Sequence, residues 1–367
     1  MAAGDFSPSQ LLAIKLKAER MWSDSAMNAD FIPNAAAAQI GIAKQTARFR
    51  ELDNPEKDNQ VVVNWVKACD VEVEDCETNC TLEEPELETT GKTYEYDLCK
   101  KVGFSVNREK LRTNTYDRDE VVARGIAKCL KQLDEYWAQT YLAKAKAFSS
   151  VNIAPAPFNF DVAKNHTVVP AAHYGTFGSN SGFQLPTLMN LQMIRNKYNN
   201  VFYLDNGRMF VEYQNTLARV GATDGASREA IARANALDVN FDLFNFAAGG
   251  ITNVTTLAIS RSAIAFKTKN RHSDTPIFYA GNIQQTRYTI NSPTLAGVKY
   301  DVFYQIGCKS VDGKEQIFDT WRFETQGGIW LNPEACPVTI GAGNPNLAAG
   351  SYTPSGITAY VSDDEIV

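Results

Sequence analysis

The stretch Asp117–Ala147, DRDEVVARGIAKCLKQLDEYWAQTYLAKAKA, decides the fold because it predicts one very long amphipathic helix. Asp117 is suited to cap the first turn, and Glu120 is suited to be its return partner. Apolar residues then recur at helical spacing: Val122, Ile126, Leu130, Leu133, Trp137, Tyr141, Ala145 and Phe148. At about 1.5 Å per residue this helix would be about 45 Å long, which exceeds the diameter of a small domain. We therefore expect it to act as a spine.

Upstream of this helix, two alternating runs predict a pair of strands. The first, in VVVNWVKACDVEVEDCETNC (61–80), places these residues on one face: Val61, Val63, Trp65, Cys69, Val71 and Val73. The second places these in one row: Tyr94, Tyr96, Leu98, Val102, Phe104 and Val106. The segment between them is acidic, with Glu83, Glu84, Glu86 and Glu88. An isolated two-stranded ribbon is only marginally stable in water, so we expect this one to lie on another surface.

Downstream of the helix, the chain becomes irregular and then forms a further strand pair. The run VKYDVFYQIGCKSVDGKEQIFDTWRFET (298–325) has Asp312-Gly313 at its centre, a turn that favours a β-hairpin between two long arms. A long helix combined with several strand pairs indicates the α+β class.

Four cysteines around the first ribbon raise the question of a metal site. Cys76 and Cys80 have a spacing that zinc tolerates, and Cys69 and Cys99 could complete a tetrathiolate. The strand pattern points Cys69 and Cys99 to opposite sides, so such a site would require a bulge or a loop that folds back. Zinc and free or late-oxidised thiols both stay open as interpretations.

The sequence lacks the common motifs of enzyme active sites. The 367 residues contain no phosphate-binding glycine loop, no H-E-x-x-H and no G-x-S-x-G. His166 and His173 lie in a loop rich in Gly and Asn, with Asp161 as the acidic residue nearest to them, and no nucleophile–base–orienter set can be assembled. The net charge of −6 argues against a dedicated nucleic-acid binder. We expect no enzymatic activity.

Two basic segments are the predicted binding partners of the acidic ribbon. Residues 260–272, SRSAIAFKTKNRH, carry four Lys or Arg and no acid, and the long helix adds Lys128, Lys131, Lys144 and Lys146. Opposite charges on two surfaces favour and orient an association.

The order of these elements resembles that of a tailed-bacteriophage major capsid protein with the Hong Kong 97-type fold. The segments LDNPEKDNQVVVNWVKAC (52–69) and VARGIAKCLKQLDEYWAQTYLAKAK (122–146) resemble those of phages of Bacteroidetes-like hosts. The resemblance covers most of residues 1–336. It implies a fold with an N-terminal arm, an extended two-stranded loop, a long spine helix, a peripheral domain and an axial domain.

Carried onto this chain, the resemblance implies a set of regions: an N-terminal arm at 1–60, an extended loop at 61–112, the spine helix and peripheral domain at 113–150, an axial domain at 151–299, a return hairpin of the peripheral domain at 300–336, and a C-terminal tail at 337–367. In that family the extended loop embraces a neighbouring subunit. The predicted inter-subunit contacts here are Trp65, Val71, Val73, Glu83, Glu84, Glu86, Glu88, Lys92, Tyr94 and Tyr96.

The resemblance also implies a function: a structural protein that self-assembles, as hexamers and pentamers, into an icosahedral shell around double-stranded DNA. Its implied partners are a portal, a separate scaffolding protein and decoration proteins, with assembly in the host cytoplasm and no membrane. The DNA would be enclosed without sequence-specific binding, and no cofactor is implied. The alternative is a zinc-stabilised decoration, tail or other binding protein built around Cys69–Cys99.

Overall fold

Helices and strands follow one another irregularly along the chain in the computed structural model, which has the predicted α+β class. The structure describes residues 8–22, 40, 48–51, 59–66, 89–111, 118–174, 185–198, 201–207, 241–243, 251, 253–261, 263–279, 285–333, 337–340 and 347–365. Within these residues, no helix is both long enough and apolar enough to cross a membrane.

The α-helices of the described residues are α1 Pro8–Trp22, α2 Arg108–Leu111, α3 Arg118–Ala147 and α4 Leu185–Arg195. The strands are β1 Arg48–Glu51, β2 Gln60–Val66, β3 Thr89–Glu95, β4 Leu98–Asn107, β5 Asn159–Asp161, β6 His166–Val169, β7 Val201–Asp205, β8 Phe241–Leu243, β9 Thr256–Ser260, β10 Ile264–Lys269, β11 Ile277–Tyr279, β12 Gln285–Asn291, β13 Lys299–Val311, β14 Lys314–Leu331, β15 Val338–Ile340, β16 Gly350–Tyr352 and β17 Ile357–Ser362.

The chain divides into two compact units, each built from separated segments. The first unit comprises Met1–Ile32, Glu95–Ala138 and Lys267–Gly328, and the second comprises Pro33–Tyr94, Gln139–Phe266 and Ile329–Val367. The first unit contains most of the predicted spine helix and the predicted hairpin. The second contains a separate β-sheet with its own apolar core.

The predicted spine helix is confirmed as α3, which has 30 residues. Its predicted apolar stripe is buried from Val122 to Ala145, where each member is at most 2% exposed. Phe148, which lies one residue beyond the end of the helix, is half-buried. The proposed cap, Asp117, lies outside the described residues. Burial of the whole stripe indicates that tertiary packing, more than helix propensity, stabilises this helix.

The predicted hairpin is also confirmed, as β13 and β14 joined at Asp312-Gly313. Both turn residues have positive φ, 53° and 75°, as a type I′ turn requires. On the other edge of β14, strand β4 pairs antiparallel along residues 98–107. Strands β12 and β11 extend the sheet beyond β13. We call this sheet the hairpin sheet.

One face of the hairpin sheet forms the core of the first unit against α3. Alternate residues of β13, β14 and β4 supply it: Val302, Tyr304, Trp321, Phe323 and Phe104. A Cβ on Gly125 of α3 would lie only 2.6 Å from the Phe104 ring. The helix therefore approaches the sheet closely at a position where only glycine fits without a shift.

The return arm of the predicted ribbon differs from the prediction. One continuous strand was expected from Tyr94 to Val106, but the structure has β3 and β4 with a break at Tyr96-Asp97. Strand β3 belongs to a sheet with the order β1-β2-β3, whereas β4 belongs to the hairpin sheet. The physical reason is that β14 offers β4 a long row of backbone partners, which stabilises it more than an isolated ribbon could.

The second unit is built on a sheet with the strand order β5-β6-β17-β9-β7-β8. Strand β17 is central: it runs parallel to β6 and antiparallel to β9, and all six of its residues are buried. Side chains of α4 pack into the same core through Leu185, Met189 and Met193. The predicted tail from residue 337 thus supplies a strand at the centre of this sheet.

Candidate assembly surface

The predicted contact residues fall partly outside the described residues. Val71, Val73, Glu83, Glu84, Glu86 and Glu88 all lie in the undescribed range 67–88. Lys92 is exposed and Tyr94 is partly exposed, both on β3. The Lys92 Nζ lies 5.5 Å from the centre of the Tyr94 ring, and that ring lies 5.5 Å from the ring of Trp330. These two residues therefore place a basic and an aromatic side chain next to each other on β3.

Two further predicted contacts are buried within the chain itself. Trp65 is 2% exposed and Tyr96 is 6% exposed. Trp65 lies on the buried side of β2, and Tyr96 lies in the break between β3 and β4, so both have little surface to offer another subunit. Among the described members of the predicted contact surface, Lys92 and Tyr94 have the more exposed side chains, and the contacts themselves stay predictions.

The cysteines give no assembled metal site within the described residues. Cys69, Cys76 and Cys80 lie outside these residues, and Cys99 is an exposed free thiol on β4. The described part of the chain holds no cluster of three or more His, Cys, Asp or Glu side chains with metal-binding geometry. The zinc hypothesis stays a prediction.

His166 does not form a hydrolytic pair with Asp161 in the described residues. His166 Nε2 lies 3.9 Å from Asp161 Oδ2, which is beyond hydrogen-bond distance, and burial lowers the pKa of His166. The other Asp161 oxygen accepts hydrogen bonds from the backbone N–H groups of Ala163 and Lys164. Nε2 of His166 is buried without a hydrogen-bond partner in the described structure, so the pair lacks an attached nucleophile.

A fully buried carboxylate, Asp319 on β14, ties three elements of the first unit together. Arg108, which begins α2, donates to it from Nε at 3.0 Å and Nη2 at 2.7 Å. Arg118, which begins α3, donates at 2.7 Å, and the Tyr304 hydroxyl donates at 2.9 Å. The bond to Asp319 raises the pKa of Arg108. This node fixes the middle of the hairpin to the start of the spine helix, since charge-assisted bonds of this kind are directional.

A second buried carboxylate, Asp134 on α3, is held by hydroxyl groups. Ser292 donates to it at 2.8 Å, and Thr294 and Tyr300 donate as well. Burial raises the pKa of Asp134 to about 6, and the hydroxyl bonds oppose that rise. The carboxylate therefore links α3 to the turn between β12 and β13.

Sequence reasoning missed both carboxylates, although each one had a signal. Asp134 stands next to Leu133 and three residues before Trp137, on the apolar side of the helix. Asp319 falls in the alternating row that contains Trp321 and Phe323. An acid inside an apolar row indicates a buried, hydrogen-bonded group. Most of the partners could not be predicted because they come from more than a hundred residues away; Tyr304, which lies across the hairpin from Asp319, is the exception.

The face of the hairpin sheet that points away from α3 carries a cluster of cations. Strand register places Lys101, Arg287 and Arg322 on this face together with Phe303 and Glu324. Arg271 reaches the same face, where its Nη2 donates to Gln326 Oε1 at 2.7 Å. We call Lys101, Arg271, Arg287 and Arg322 the basic face.

Two arginines of the basic face stack on one aromatic ring. The guanidinium carbon of Arg322 lies 4.4 Å from the centre of the Phe303 ring, and that of Arg287 lies 5.3 Å from it. Arg322 also pairs with Glu324 at 2.9 Å. Stacking on an aromatic ring holds the guanidinium planes in defined orientations. The face is therefore both charged and ordered.

The distal end of the hairpin presents a different, partly apolar surface. Ile317 is 41% exposed, and its cross-strand partner Cys308 is also exposed. Both belong to the row that is buried further down the hairpin, at Tyr304 and Trp321. This end of the β13–β14 pair therefore extends beyond the region where the row is buried.

The basic segments predicted to bind the acidic ribbon lie on β10, on the basic face and on α3. Residues 264–269 form β10, and Arg271 belongs to the basic face. On α3, Lys128 is exposed, and Lys131 lies 3.9 Å from Glu135. The basic face also contains Lys101, Arg287 and Arg322, which sequence reasoning did not select. These three are far apart in the sequence and come together only through the register of β4, β12 and β14.

No protein-family model and no curated protein matches the sequence. Solved phage capsid structures resemble the fold over most of its length. The mature capsid of bacteriophage PhiM1 is 10% identical, with a TM-score of 0.38, over 84% of this chain and 83% of that one. The capsid of cyanophage P-SCSP1u is 9% identical, with a TM-score of 0.39, over 85% of each chain. The cyanophage A-1(L) capsid is 9% identical, with a TM-score of 0.39, over 81% of this chain and 90% of that one. The TM-scores are low, so we draw no conclusion on function from these likenesses.

Proposed function

We propose that the chain is a major capsid protein of a tailed phage with the Hong Kong 97-type fold, which self-assembles into an icosahedral shell around double-stranded DNA. The observation that carries the proposal is the packing of the 30-residue helix α3 on the hairpin sheet, with β2 and β3 paired upstream of it. This is the arrangement of elements that the sequence resemblance implies. The described residues assemble no catalytic set that would favour an enzyme.

The physical chemistry of the chain agrees with a shell protein. The acidic stretch 67–88 and the small β1-β2-β3 sheet lack the apolar content of an independent core, so they gain stability by contact with copies of the chain. Repeated contact between two different surfaces of one chain generates a closed symmetric assembly when the rotation between neighbouring copies closes. The net charge of −6 suits a container, because a strongly basic interior would bind packaged DNA tightly.

The proposal includes finer features that the sequence resemblance implies. These are hexamers and pentamers, a portal, a separate scaffolding protein, decoration proteins, assembly in the host cytoplasm, a host of the Bacteroidetes type, and the regions with their limits at 60, 112, 150, 299 and 336. The proposal includes no cofactor. Zinc held by Cys69, Cys76, Cys80 and Cys99 belongs to the alternative function, a decoration or tail protein, and a metal assay that finds one zinc per chain would support it.

A size measurement on the expressed protein tests the proposed function. We expect light scattering and negative-stain images to show large closed shells. Deletion of Thr81–Glu88 is expected to abolish them, because it removes the acidic tip and leaves β2 and β3 intact. Circular dichroism and a cooperative thermal transition serve as the control that the shortened subunit still folds. A wild-type chain that stays monomeric at high concentration contradicts the proposal.

A further inference from the structure

We propose that the basic face binds the acidic segment Thr81–Glu88 of a second copy of the chain. This inference rests on the proposed function, since it names the surface that receives the predicted contact segment.

The first support is the charge of the face. Lys101 and Arg271 are exposed, and the side chain of Arg322 is 47% exposed. Among the described residues, the acids on or beside this face are Glu324, which pairs with Arg322, Asp274, which pairs with Lys299, and Asp301, which is buried. Asp301 accepts hydrogen bonds from the backbone N–H groups of Arg271 and His272. Cations therefore outnumber acids at the surface, which attracts an acidic partner.

The second support is the way in which the arginines are positioned. The Arg271 guanidinium is oriented by Gln326, an amide that fixes its position without neutralising its charge. The Arg322 guanidinium is held against Phe303. Guanidinium groups held in this way can bind carboxylates in bidentate geometry with less loss of side-chain entropy. The basic face is therefore preorganised to bind carboxylate groups.

The third support is an apolar contact next to the charges. Ile277 of the edge strand β11 is 43% exposed, and it lies directly opposite Arg287 in the strand register. A ligand that carries both carboxylates and aliphatic side chains fits such a surface better than a purely charged one does. This favours an acidic peptide over the phosphate backbone of a nucleic acid.

The sequence of this chain contains such a ligand. Residues 81–88 read TLEEPELE, with four glutamates, two leucines and no basic residue. The preceding residues continue the acidic character, so that 67–88 contain nine acids and one lysine. The segment lies outside the described residues, and the binding is inferred from charge and side-chain type. A head-to-tail contact between two different surfaces of one chain can propagate around a closed shell.

Charge reversal in the full-length chain tests the proposal. The face variant Arg271→Glu with Arg322→Glu, and the segment variant Glu84→Lys with Glu86→Lys, are each expected to lose shells by negative-stain imaging. The combined variant restores opposite charges and is expected to recover them. A combined variant that stays as defective as its parents overturns the proposal, as does a face variant that assembles normally. Lys164→Glu, an exposed lysine of the second unit, is the matched control and should assemble like the wild type.

A peptide-binding measurement keeps the inference separate from the proposed function. Full-length protein at low concentration is titrated against a labelled peptide of residues 81–88, and fluorescence anisotropy is recorded. We expect the face variant to bind about tenfold more weakly or worse, and added salt to weaken binding to the wild type. The milder Lys101→Glu tests the face without disturbing the stacked arginines. Equal affinity for a peptide with Gln in place of each Glu contradicts the inference, whether or not shells form.

Nucleic acid is the competing occupant of the basic face. If it binds there, the face variant should assemble into normal shells and lose bound double-stranded DNA, and reversal of the segment charges should rescue nothing. That result overturns the proposal in favour of a phosphate-binding surface. Failure of the wild type to assemble counts against the proposed function alone, because the peptide measurement does not depend on shells.

Discussion

Asp134 shows how one buried side chain makes stability depend on pH. In the folded protein burial raises its pKa to about 6, whereas an Asp in an unfolded chain titrates near 3.9. The folded state therefore binds the proton more tightly than the unfolded state does. The free energy of unfolding then falls as the pH rises from about 4 to about 6, and levels off above that range.

We predict that Asp134→Asn removes this component of the pH dependence. The amide stays neutral. Its single oxygen can accept hydroxyl hydrogen bonds on one side of the group, where Thr294 or Tyr300 donates, and its NH2 group on the other side can donate to a hydroxyl oxygen. The stability gained by the wild type on acidification, relative to the variant, should be about 3 kcal/mol at most. Urea unfolding of the unassembled subunit at about pH 3 and about pH 7.5 measures this difference, because the two values lie below and above the range in which the stability changes.

The control for this prediction is Asp119→Asn in the first turn of the same helix, which is only partly buried. This variant removes a carboxylate of the same helix that lies outside the group of hydroxyls around Asp134, so it separates the effect of the buried carboxylate from that of losing any acid on the helix. Parallel pH profiles for the wild type and Asp134→Asn are the result that contradicts the assignment.

At the residue scale, sequence alone identified buried apolar residues well and buried polar ones poorly. Val122 to Ala145 follow a periodic pattern that local geometry dictates, so their burial could be predicted. The partners of Asp134 and Asp319 depend on contacts across the fold. The basic face was missed for the same reason, because Lys101 and Arg322 meet only through strand register.

At the scale of elements, the contact between α3 and the hairpin sheet depends on Gly125. Glycine is a poor helix former, and alanine would favour the helix by about 1 kcal/mol. Glycine at position 125 is explained by Phe104, because a Cβ on residue 125 would come too close to the Phe104 ring. That ring in turn stacks on Trp321, with 5.2 Å between the ring centres. The close approach of helix and sheet therefore outweighs helix propensity here.

We predict that Gly125→Ala destabilises the subunit by about 1 to 2 kcal/mol, since overpacking opposes the gain in propensity. Adding Phe104→Leu should recover part of the loss by making room for the new methyl group. Gly307→Ala on β13 is the matched control, because a Cβ there meets nothing within 4 Å. Thermal unfolding measures all three variants. A higher transition temperature for Gly125→Ala alone would show that the ring moves away freely.

The elements with strong local signals were predictable, and those defined by pairing were not. The Asp312-Gly313 turn has a type-specific sequence, and α3 has a long unbroken period. The division of the return arm into β3 and β4 depends on β14, which lies more than two hundred residues further along the chain. No local pattern contains that information.

At the scale of the whole molecule, the C-terminal segment belongs to the core of the second unit. The resemblance implied a tail from residue 337, yet β17 separates β6 from β9 at the centre of the sheet. Ile357 and Val361 are fully buried there, and burial of two aliphatic side chains contributes about 5 kcal/mol. The alternation of apolar residues was too short in this segment to reveal a central strand.

We predict that a chain that ends at Pro354 cannot fold its second unit. Loss of β17 exposes the edges of β6 and β9 as well as their apolar neighbours, which promotes aggregation. A chain that ends at Glu365 keeps β17 and should retain the wild-type transition temperature. Solubility after expression and the thermal transition compare the two. A Pro354-terminated chain that is soluble and melts like the wild type contradicts the role assigned to β17.

The central position of β17 also affects the timing of folding on the ribosome. Strands β5 to β9 are synthesised long before residues 357–362, so the sheet that they belong to lacks its middle strand during most of translation. Only when β17 leaves the exit tunnel can β6 and β9 be joined into one sheet. Nascent chains on a polysome therefore cannot complete the second unit before β17 has emerged, and any association that requires this unit begins only after that point.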